Sequence, residues 1–350
     1  MANFQIDGVS VDAAEGTTIL AAARDVGVHI PTLCDDPLLS PGGSCRVCMV
    51  ELEGRPSPVA ACTYPVTAGL EVVTDSTSLR TYRRGLLDLV LSELPTAGCP
   101  RCAERGPCEL HELADTLGAT GGRFSGARSG RSIDDGNPFI FRDYDRCIYC
   151  YRCARICNEV EQAHAIVPGG SGFQTRITTG FERGLLDANC TFCGQCIETC
   201  PTGALVDKTR SGRKGGLDKT VQTVCPYCGT GCTVLLDIAD NHIVGARGDR
   251  SSPVSGGALC VKGRFGWDFV HSPDRLKTPL VRRNEGLEPV NWDEALGLVA
   301  DRLTQITTES GPDAAVFWSS ARASSEANYL FQKLARAVVG TNNVDNCART

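Results

Sequence analysis

Between Arg146 and Leu205 the sequence carries two cysteine runs, RCIYCYRCARICNEV and NCTFCGQCIETCPTGAL. Each spaces its thiols C-x2-C-x2-C-x3-C, and the second is followed by proline. Spacings this short wrap backbone around a cubane, because three thiolates of one loop reach three of its corners, and the fourth is aimed at the neighbouring cluster. The expected ligand sets are therefore Cys147, Cys150, Cys153 and Cys200 for one [4Fe-4S] cluster, and Cys157, Cys190, Cys193 and Cys196 for the other. Paired zinc ions are the competing reading, but structural zinc usually draws two ligands from each of two separated loops. The runs are better suited to passing electrons between two clusters.

Three further groups flank this cassette. Cys34, Cys45, Cys48 and Cys62 are spaced C-x10-C-x2-C-x13-C, with Gly42 and Gly43 where backbone must pass close to an inorganic core. The first gap is longer than the plant-type [2Fe-2S] spacing, and a zinc ribbon competes, but a hairpin and helix preceding the cysteine loop favour [2Fe-2S]. Cys99, Cys102 and Cys108 (C-x2-C-x5-C) are one thiolate short of a closed [4Fe-4S] set. His111 is the nearest spare donor, and the alternative is that no fourth ligand exists. Cys225, Cys228, Cys232 and Cys260 (C-x2-C-x3-C-x27-C), with Gly229 and Gly231 in the tight part, again suit a cubane better than zinc. Lys262 lies two residues after the last of them, where a cation could stand between this cluster and its redox partner; on spacing alone the reading as a surface lysine outweighs that role.

Twenty cysteines in 350 residues, without an N-terminal signal or twin arginine, read as metal ligands in a reducing, cytoplasmic compartment rather than as disulfides. No apolar run approaches the ~20 residues of a membrane span. A net charge of −6, before counting cluster thiolates, argues against broad nucleic-acid binding. Arg80, Arg83 and Arg84, and Lys208, Arg210, Arg213 and Lys214, read as solvated linker charges.

The elements that must position these thiols are legible in part. Phe4–Ile6 and Val9–Val11 alternate as strands around Asp7-Gly8, a hairpin dipeptide. Thr17 is placed to cap a helix carrying Ile19, Leu20, Ala23 and Val26 and closed by Gly27. Leu79, Tyr82, Leu86, Leu87, Val90, Leu91 and Leu94 recur at helical spacing and predict a buried helix. Residues 120–137 and 211–216 read as connectors. Asn291 with Glu294 resembles a capping box, opening a helix whose face is Trp292, Ala295, Leu296, Val299, Leu303 and Ile306. Ala314–Trp318 then reads as a strand, Ser319–Ser325 as a loop and Glu326–Val339 as a helix ended by Gly340, the start of an α/β domain. Cys347 is the one cysteine outside the cluster runs.

In this order the motifs resemble, over essentially the whole chain, the N-terminal part of the large (alpha) subunit of molybdenum- or tungsten-dependent formate dehydrogenases of the soluble NAD-coupled type. The front half also resembles the large iron–sulfur subunit of respiratory complex I and the [FeFe]-hydrogenases. Cys225-Pro-Tyr-Cys228-Gly-Thr-Gly-Cys232 favours the first, because hydrogenases of this build carry their own active-site domain there. The tail Gly340-Thr-Asn-Asn-Val-Asp-Asn-Cys347-Ala-Arg-Thr350 resembles the stretch leading to that family's metal-ligating cysteine or selenocysteine, which would fall just after Thr350. The resemblance thus implies a chain that stops before its catalytic ligand and is inactive alone. A selenocysteine codon read as a stop would give this ending, and the codon after that of Thr350 decides it.

The implied fold is an α+β multidomain iron–sulfur protein: a β-grasp [2Fe-2S] domain (1–78), a helical three-cysteine segment (79–119), a double [4Fe-4S] ferredoxin domain (137–210), a small [4Fe-4S] domain (219–275) and the start of an incomplete α/β pterin-binding domain (276–350). The implied cofactors are one [2Fe-2S] cluster, three [4Fe-4S] clusters with room for a fourth at Cys99, Cys102 and Cys108, and a bis-pterin guanine dinucleotide. Formate oxidation would send electrons through the Cys225–Cys260 cluster, then the cassette, then the N-terminal clusters, to a partner subunit holding flavin and NAD. A complex I-type electron-transfer subunit is the alternative. Lys262 matches the family's lysine between cluster and pterin. The family's histidine upstream of the three cysteines has no counterpart in Ser92-Glu-Leu-Pro-Thr-Ala-Gly-Cys99. Finally, Arg146, Arg152 and Arg155 crowd the first cassette loop whereas Glu198 is the only charge between the ligands of the second, which predicts the higher potential for the Cys147 cluster; charge reversal at Arg152 or Arg155 tests this.

Overall fold

The computed structural model describes residues 1–95, 99–127, 130, 133–181, 183–210, 216–283 and 286–347; the side chains of residues 100, 104 and 105 are outside that set. Most of the second connector (211–215, with Arg213 and Lys214), three residues ahead of Cys99 and the last three of the chain therefore lie outside the described residues. The chain forms two compact units, Met1–Asp218 and Lys219–Thr350.

The first unit opens with β1 (Ala2–Ile6) and β2 (Val9–Ala13), an antiparallel hairpin whose two turn residues both have positive φ (Asp7 49°, Gly8 81°). Such a turn matches the right-handed twist of the strands it joins. Helix α1 (Ile19–Asp25) follows. Its cap is Thr18, one residue later than the sequence suggests, because the Thr18 hydroxyl accepts from the Ala21 N–H at 3.2 Å. Strands β3 (Met49–Leu52), β4 (Val59–Ala60) and β5 (Glu71–Val73) complete a sheet of order β2-β1-β5-β3-β4, with β1 and β5 parallel. Phe4, Ile6, Ile19, Leu20 and Val50 are almost wholly buried in one core. Each such side chain contributes about 1.5–3 kcal/mol of burial.

Helix α2 (Thr77–Ser92) is half-buried rather than buried: Leu79 and Leu87 are sealed, whereas Tyr82 is 40% exposed. Its unforeseen feature is Arg83. Read as a solvated charge, it is only 3% exposed and donates to the carbonyls of Val47 (3.1 Å), Met49 (2.7 Å) and Thr74 (2.9 Å). A guanidinium presents five donors in one plane, so a single side chain can satisfy backbone from three segments. Short helices α3 (Pro100–Arg105) and α4 (Glu109–Leu117) then form a hairpin through Gly106. Within residues 120–137 the described chain has no helix or strand beyond an isolated bridge from Asp134 to Arg142.

The cassette consists of β6 (Ile140–Arg142), α5 (Arg152–Glu159), β7 (Val167–Gly169), β8 (Arg176–Thr178), α6 (Gln195–Thr199) and β9 (Leu205–Asp207). Strands β6 and β9 pair across its ends, and β7 with β8 between its halves. Arg210, read with the second basic group as a solvated charge, is also buried.

In the second unit, β10 (Lys219–Val224), β11 (Thr233–Ala239) and β12 (His242–Gly248) make an antiparallel sheet that the cysteine spacing there does not announce. Helix α7 (Val261–Phe265) and a hairpin of β13 (Leu280–Arg283) with β14 (Gly286–Pro289) follow. Helix α8 (Trp292–Ser310) is capped as expected, Asn291 accepting from the Glu294 N–H at 2.8 Å. Its apolar face is mostly open: Trp292, Leu296 and Val299 are exposed, and Leu303 packs against Ala315, Phe317 and Ala335. Strand β15 (Phe317–Ser319) is shorter than expected, since Pro312–Ala314 turns as a 3-10 segment. Helix α9 (Ser325–Lys333) continues as a π-helical stretch to Val339, and Gly340 closes it in the left-handed conformation. Strand β16 (Val344–Asn346) then pairs parallel to β15, giving a strand–helix–strand unit. No helix among the described residues is long and apolar enough to cross a membrane.

Candidate metal centres

In the cassette the two halves share one backbone solution. Tyr149 and Tyr151 in the first loop, and Phe192 and Gly194 in the second, all have positive φ, and Tyr151 and Gly194 are the residues that start α5 and α6. Left-handed residues between closely spaced ligands curl the loop so that successive thiols face one centre. Cys153 is buried and feels Cys150, Cys147, Cys200 and, last, Cys196; Cys196 feels Cys193, Cys190 and Cys157. One cavity is lined by Cys147, Cys150, Cys153 and Cys200, and a second by Cys157, Cys190 and Cys193, with Cys196 on both walls. Each fourth cysteine thus sits with the other run. Burial pushes Cys150, Cys153 and Cys196 well above the ordinary thiol range. Buried thiols crowded in this way ionise only against a cationic centre, which is the chemistry of an iron–sulfur core.

The N-terminal quartet is arranged in two pairs. Cys34 and Cys45 interact directly, the Cys45 N–H donating to Cys34 Sγ at 3.4 Å, and the Cys45 thiol holds Cys34 down to about 5. Cys48 likewise lowers Cys62. Two thiols per metal is the division a [2Fe-2S] core requires. Gly43 does have positive φ (62°), but the close neighbour of Gly42 is Arg155: a Cβ at Gly42 would lie 2.9 Å from that guanidinium. Arg155 leaves its own loop to donate to the Cys34 and Ser40 carbonyls. Thr199, beside Cys200, donates to Asp36 at 2.7 Å. The cassette and the N-terminal site are thereby bonded to each other.

The third group is built by cap positions. Cys99 immediately precedes α3 and Cys102 lies one turn in; Cys108 immediately precedes α4 and His111 lies one turn in. Residues three apart on a helix share a face, so two arms each present two donors. His111 Nδ1 lies 3.0 Å from Cys102 Sγ and 3.5 Å from Cys108 Sγ. Cys108 holds Cys99 down to about 5. Leu110 on this hairpin donates to Pro201 O at 3.1 Å, and buried Arg152 of α5 bridges Glu109 (2.7 Å) and Thr199 O (3.1 Å).

In the second unit, the Cys225 N–H donates to Cys232 O at 2.9 Å, closing the loop, and Cys225 feels Cys232, Cys260 and Cys228. Burial raises Cys225, whereas Cys228 and Cys260 are exposed. Cys228 is lowered by the Thr230 hydroxyl first, with the Lys262 ammonium also acting on it. Lys262, on α7, is exposed. Cys347 stands apart, accepting from the Ala321 N–H at 3.4 Å.

On folding, the arginines of the first ligand loop acquire partners, although Arg152 still acts on Cys150. Arg146 pairs with Asp143 (2.9 Å), Arg152 with Glu109, and Arg155 turns to the Cys34 loop. Meanwhile Arg142, outside both runs and 5% exposed, acts on Cys190 and Cys196 of the second quartet. No spacing signal marks Arg142, because β6 brings it there from another segment.

Comparison with known proteins places families along the chain: a 2Fe-2S iron-sulfur cluster binding domain over residues 1–77, the ferredoxin-like domain of NADH-quinone oxidoreductase subunit 3 over 137–206, a molybdopterin oxidoreductase Fe4S4 domain over 218–272 and a molybdopterin oxidoreductase domain over 275–350. The NADPH-Fe(3+) oxidoreductase subunit alpha of Geobacter sulfurreducens is 38% identical over 350 residues, covering 100% of this chain and 40% of that protein. An NADH-quinone oxidoreductase subunit of Rhizobium meliloti is 38% identical over 353 residues, with the same coverage. A protein of Staphylococcus aureus named "Putative formate dehydrogenase" is 30% identical over 384 residues, covering 98% of this chain and 39% of that one. Among solved structures, a chain of an NAD+-reducing [NiFe]-hydrogenase matches with a TM-score of 0.56 at 34% identity, covering 61% of this chain and 90% of that chain. The chain spans about 40% of the length of the curated relatives it matches. Domain by domain, the chain is a multidomain iron–sulfur protein in which a 2Fe-2S domain, a ferredoxin-like domain and an Fe4S4 domain precede the start of a molybdopterin oxidoreductase domain.

Proposed function

We propose that this chain is the iron–sulfur portion of a formate dehydrogenase alpha subunit, carrying electrons from formate oxidation to a flavin- and NAD-binding partner in the cytoplasm. The ligands are Cys34, Cys45, Cys48 and Cys62 for [2Fe-2S]; Cys147, Cys150, Cys153 and Cys200, then Cys157, Cys190, Cys193 and Cys196, for the paired [4Fe-4S] clusters; and Cys225, Cys228, Cys232 and Cys260 for the last. A molybdenum or tungsten bis-pterin guanine dinucleotide supplies the two-electron chemistry when bound. This chain's own residues would hold the relay that takes up electrons singly, and Lys262, whose ammonium acts on Cys228, would be the cation serving that exchange. The observation that carries the reading is the order of sites, a four-thiol site and the beginning of a pterin-type domain sharing one unit.

A complex I-type polypeptide without chemistry of its own is the second reading, favoured by the higher identity to the NADH-quinone oxidoreductase relative. The full-length gene product, purified anaerobically, separates them. Cluster bleaching by formate, with molybdenum or tungsten present, is expected. Reduction by NADH or NADPH alone, in protein free of molybdenum and tungsten, would favour the second reading, and colourless, sulfide-free protein would exclude both.

A further inference from the structure

We infer that Cys99, Cys102, Cys108 and His111 form a closed site for a single divalent, thiophilic ion of the zinc type, with His111 Nδ1 as the fourth donor, in place of the cubane that the family resemblance implies. The inference rests on the iron–sulfur reading of the neighbouring sites, which serve as its internal standard.

The donor spacing decides between the two. In a cubane each ligand binds a different iron, so its four donors stand apart across the core. Around one tetrahedral ion they share a centre: bonds of about 2.3 Å to sulfur and about 2.05 Å to nitrogen put sulfur and nitrogen about 3.6 Å apart. Here His111 Nδ1 lies 3.0 and 3.5 Å from two thiols, and the donors of Cys99, Cys102 and His111 all fall within 4.8 Å of one another. Among the described residues this is the one such trio of potential ligands. The cassette cysteines gather around shared cavities, yet no three of those described approach so closely. One structure therefore holds open quartets and one compact trio, with Cys108 Sγ 3.5 Å from its histidine.

Local sequence explains the difference. Cap-plus-three positions on two consecutive helices deliver two donors each, the two-plus-two supply that structural zinc uses. The left-handed ligand-loop residues that curl the cassette around its centres have no counterpart between Cys102 and Cys108 except Gly106, at the hairpin turn. Gly203, three residues after Cys200, further confines the site: a Cβ there would lie 2.5 Å from Cys99 Sγ. Zinc has no redox chemistry, so this site would staple the α3–α4 hairpin beneath the Cys200 loop while electrons pass it by.

The test is metal analysis of the full-length protein, wild type and variants, grown with zinc and iron and purified anaerobically. Wild type should contain about one zinc per chain beside its iron, and X-ray absorption at the zinc edge should show three sulfurs and one nitrogen. His111→Ala should lose that zinc while iron, sulfide and the electron paramagnetic resonance of the reduced clusters stay unchanged. His111→Cys should retain zinc with four sulfurs, which keeps the test informative if the alanine variant does not fold. Absence of zinc from wild type, zinc retained in His111→Ala with unchanged ligation, or loss of about four irons in that variant would each overturn the inference. Protein without iron or sulfide at any site would instead sink the electron-relay reading.

Discussion

The cassette and the α3–α4 hairpin both use C-x2-C, and they hold their thiols in opposite ways. In the cassette, left-handed residues at Tyr149, Tyr151, Phe192 and Gly194 curl the chain, so the thiols point inward but stay apart. In the hairpin the same spacing falls on helix caps, where residues three apart stack on one face and the donors close up. Cysteine spacing alone is thus a statement about reach. The backbone conformation between the ligands decides how large a core they enclose.

The largest effects should come from breaking the crossed ligand sets. Cys200→Ala is expected to abolish the cluster of the distant Cys147 run, a loss of about four irons, and to spare the cluster of its own run; Cys157→Ala should do the converse. Iron and sulfide counts with electron paramagnetic resonance distinguish this from uncrossed sets. Next comes the tie between the two regions. Arg152→Met removes the donor shared by Glu109 and Thr199 O, leaving a buried carbonyl bare. Since Glu109 is part-exposed, the cost should lie near 2–3 kcal/mol, read as a lower denaturation midpoint. Gly203→Ala should cost about 1–3 kcal/mol through overpacking against Cys99, and it should disturb the hairpin's metal content rather than the cassette's.

Smaller still is the backbone asymmetry between the halves. Gly194→Ala should destabilise by about 1 kcal/mol, whereas Tyr151→Gly at the matching position should cost less, because the strain it relieves offsets the chain entropy it adds. A redox titration sharpens the electrostatic comparison. Arg142→Gln should lower the midpoint of the Cys190 cluster, because a cation favours the more negative, reduced core; the Cys147 cluster should respond less. An unchanged Cys190 midpoint would return the asymmetry to the ligand loops, where Arg152 and Arg155 would then have to dominate.

Much of this was readable from local pattern. The Asp7-Gly8 hairpin, the capped helix at Asn291 and the Gly340 stop each depend on a few adjacent residues, and the structure has them all. The cap of α1 shifted by one residue, since Thr17 and Thr18 are chemically interchangeable there. Arg83 departs from the expectation that a charge on a helix face is solvated, because three carbonyls from distant segments bury it. The β10–β12 sheet leaves little mark in the sequence because its strands alternate weakly, with β10 exposed along most of its length.

The nineteen grouped cysteines and their spacings were determined by sequence alone, because a ligand run acts through covalent neighbours and needs no distant contact to be recognised. Tertiary structure decided which distant groups those runs meet: Arg155 on the Cys34 loop, Arg142 beside Cys190 and Cys196, and Gly203 against Cys99. These are through-space relations between segments far apart along the chain, and electrostatics and steric exclusion depend on distance in space, which only folding sets.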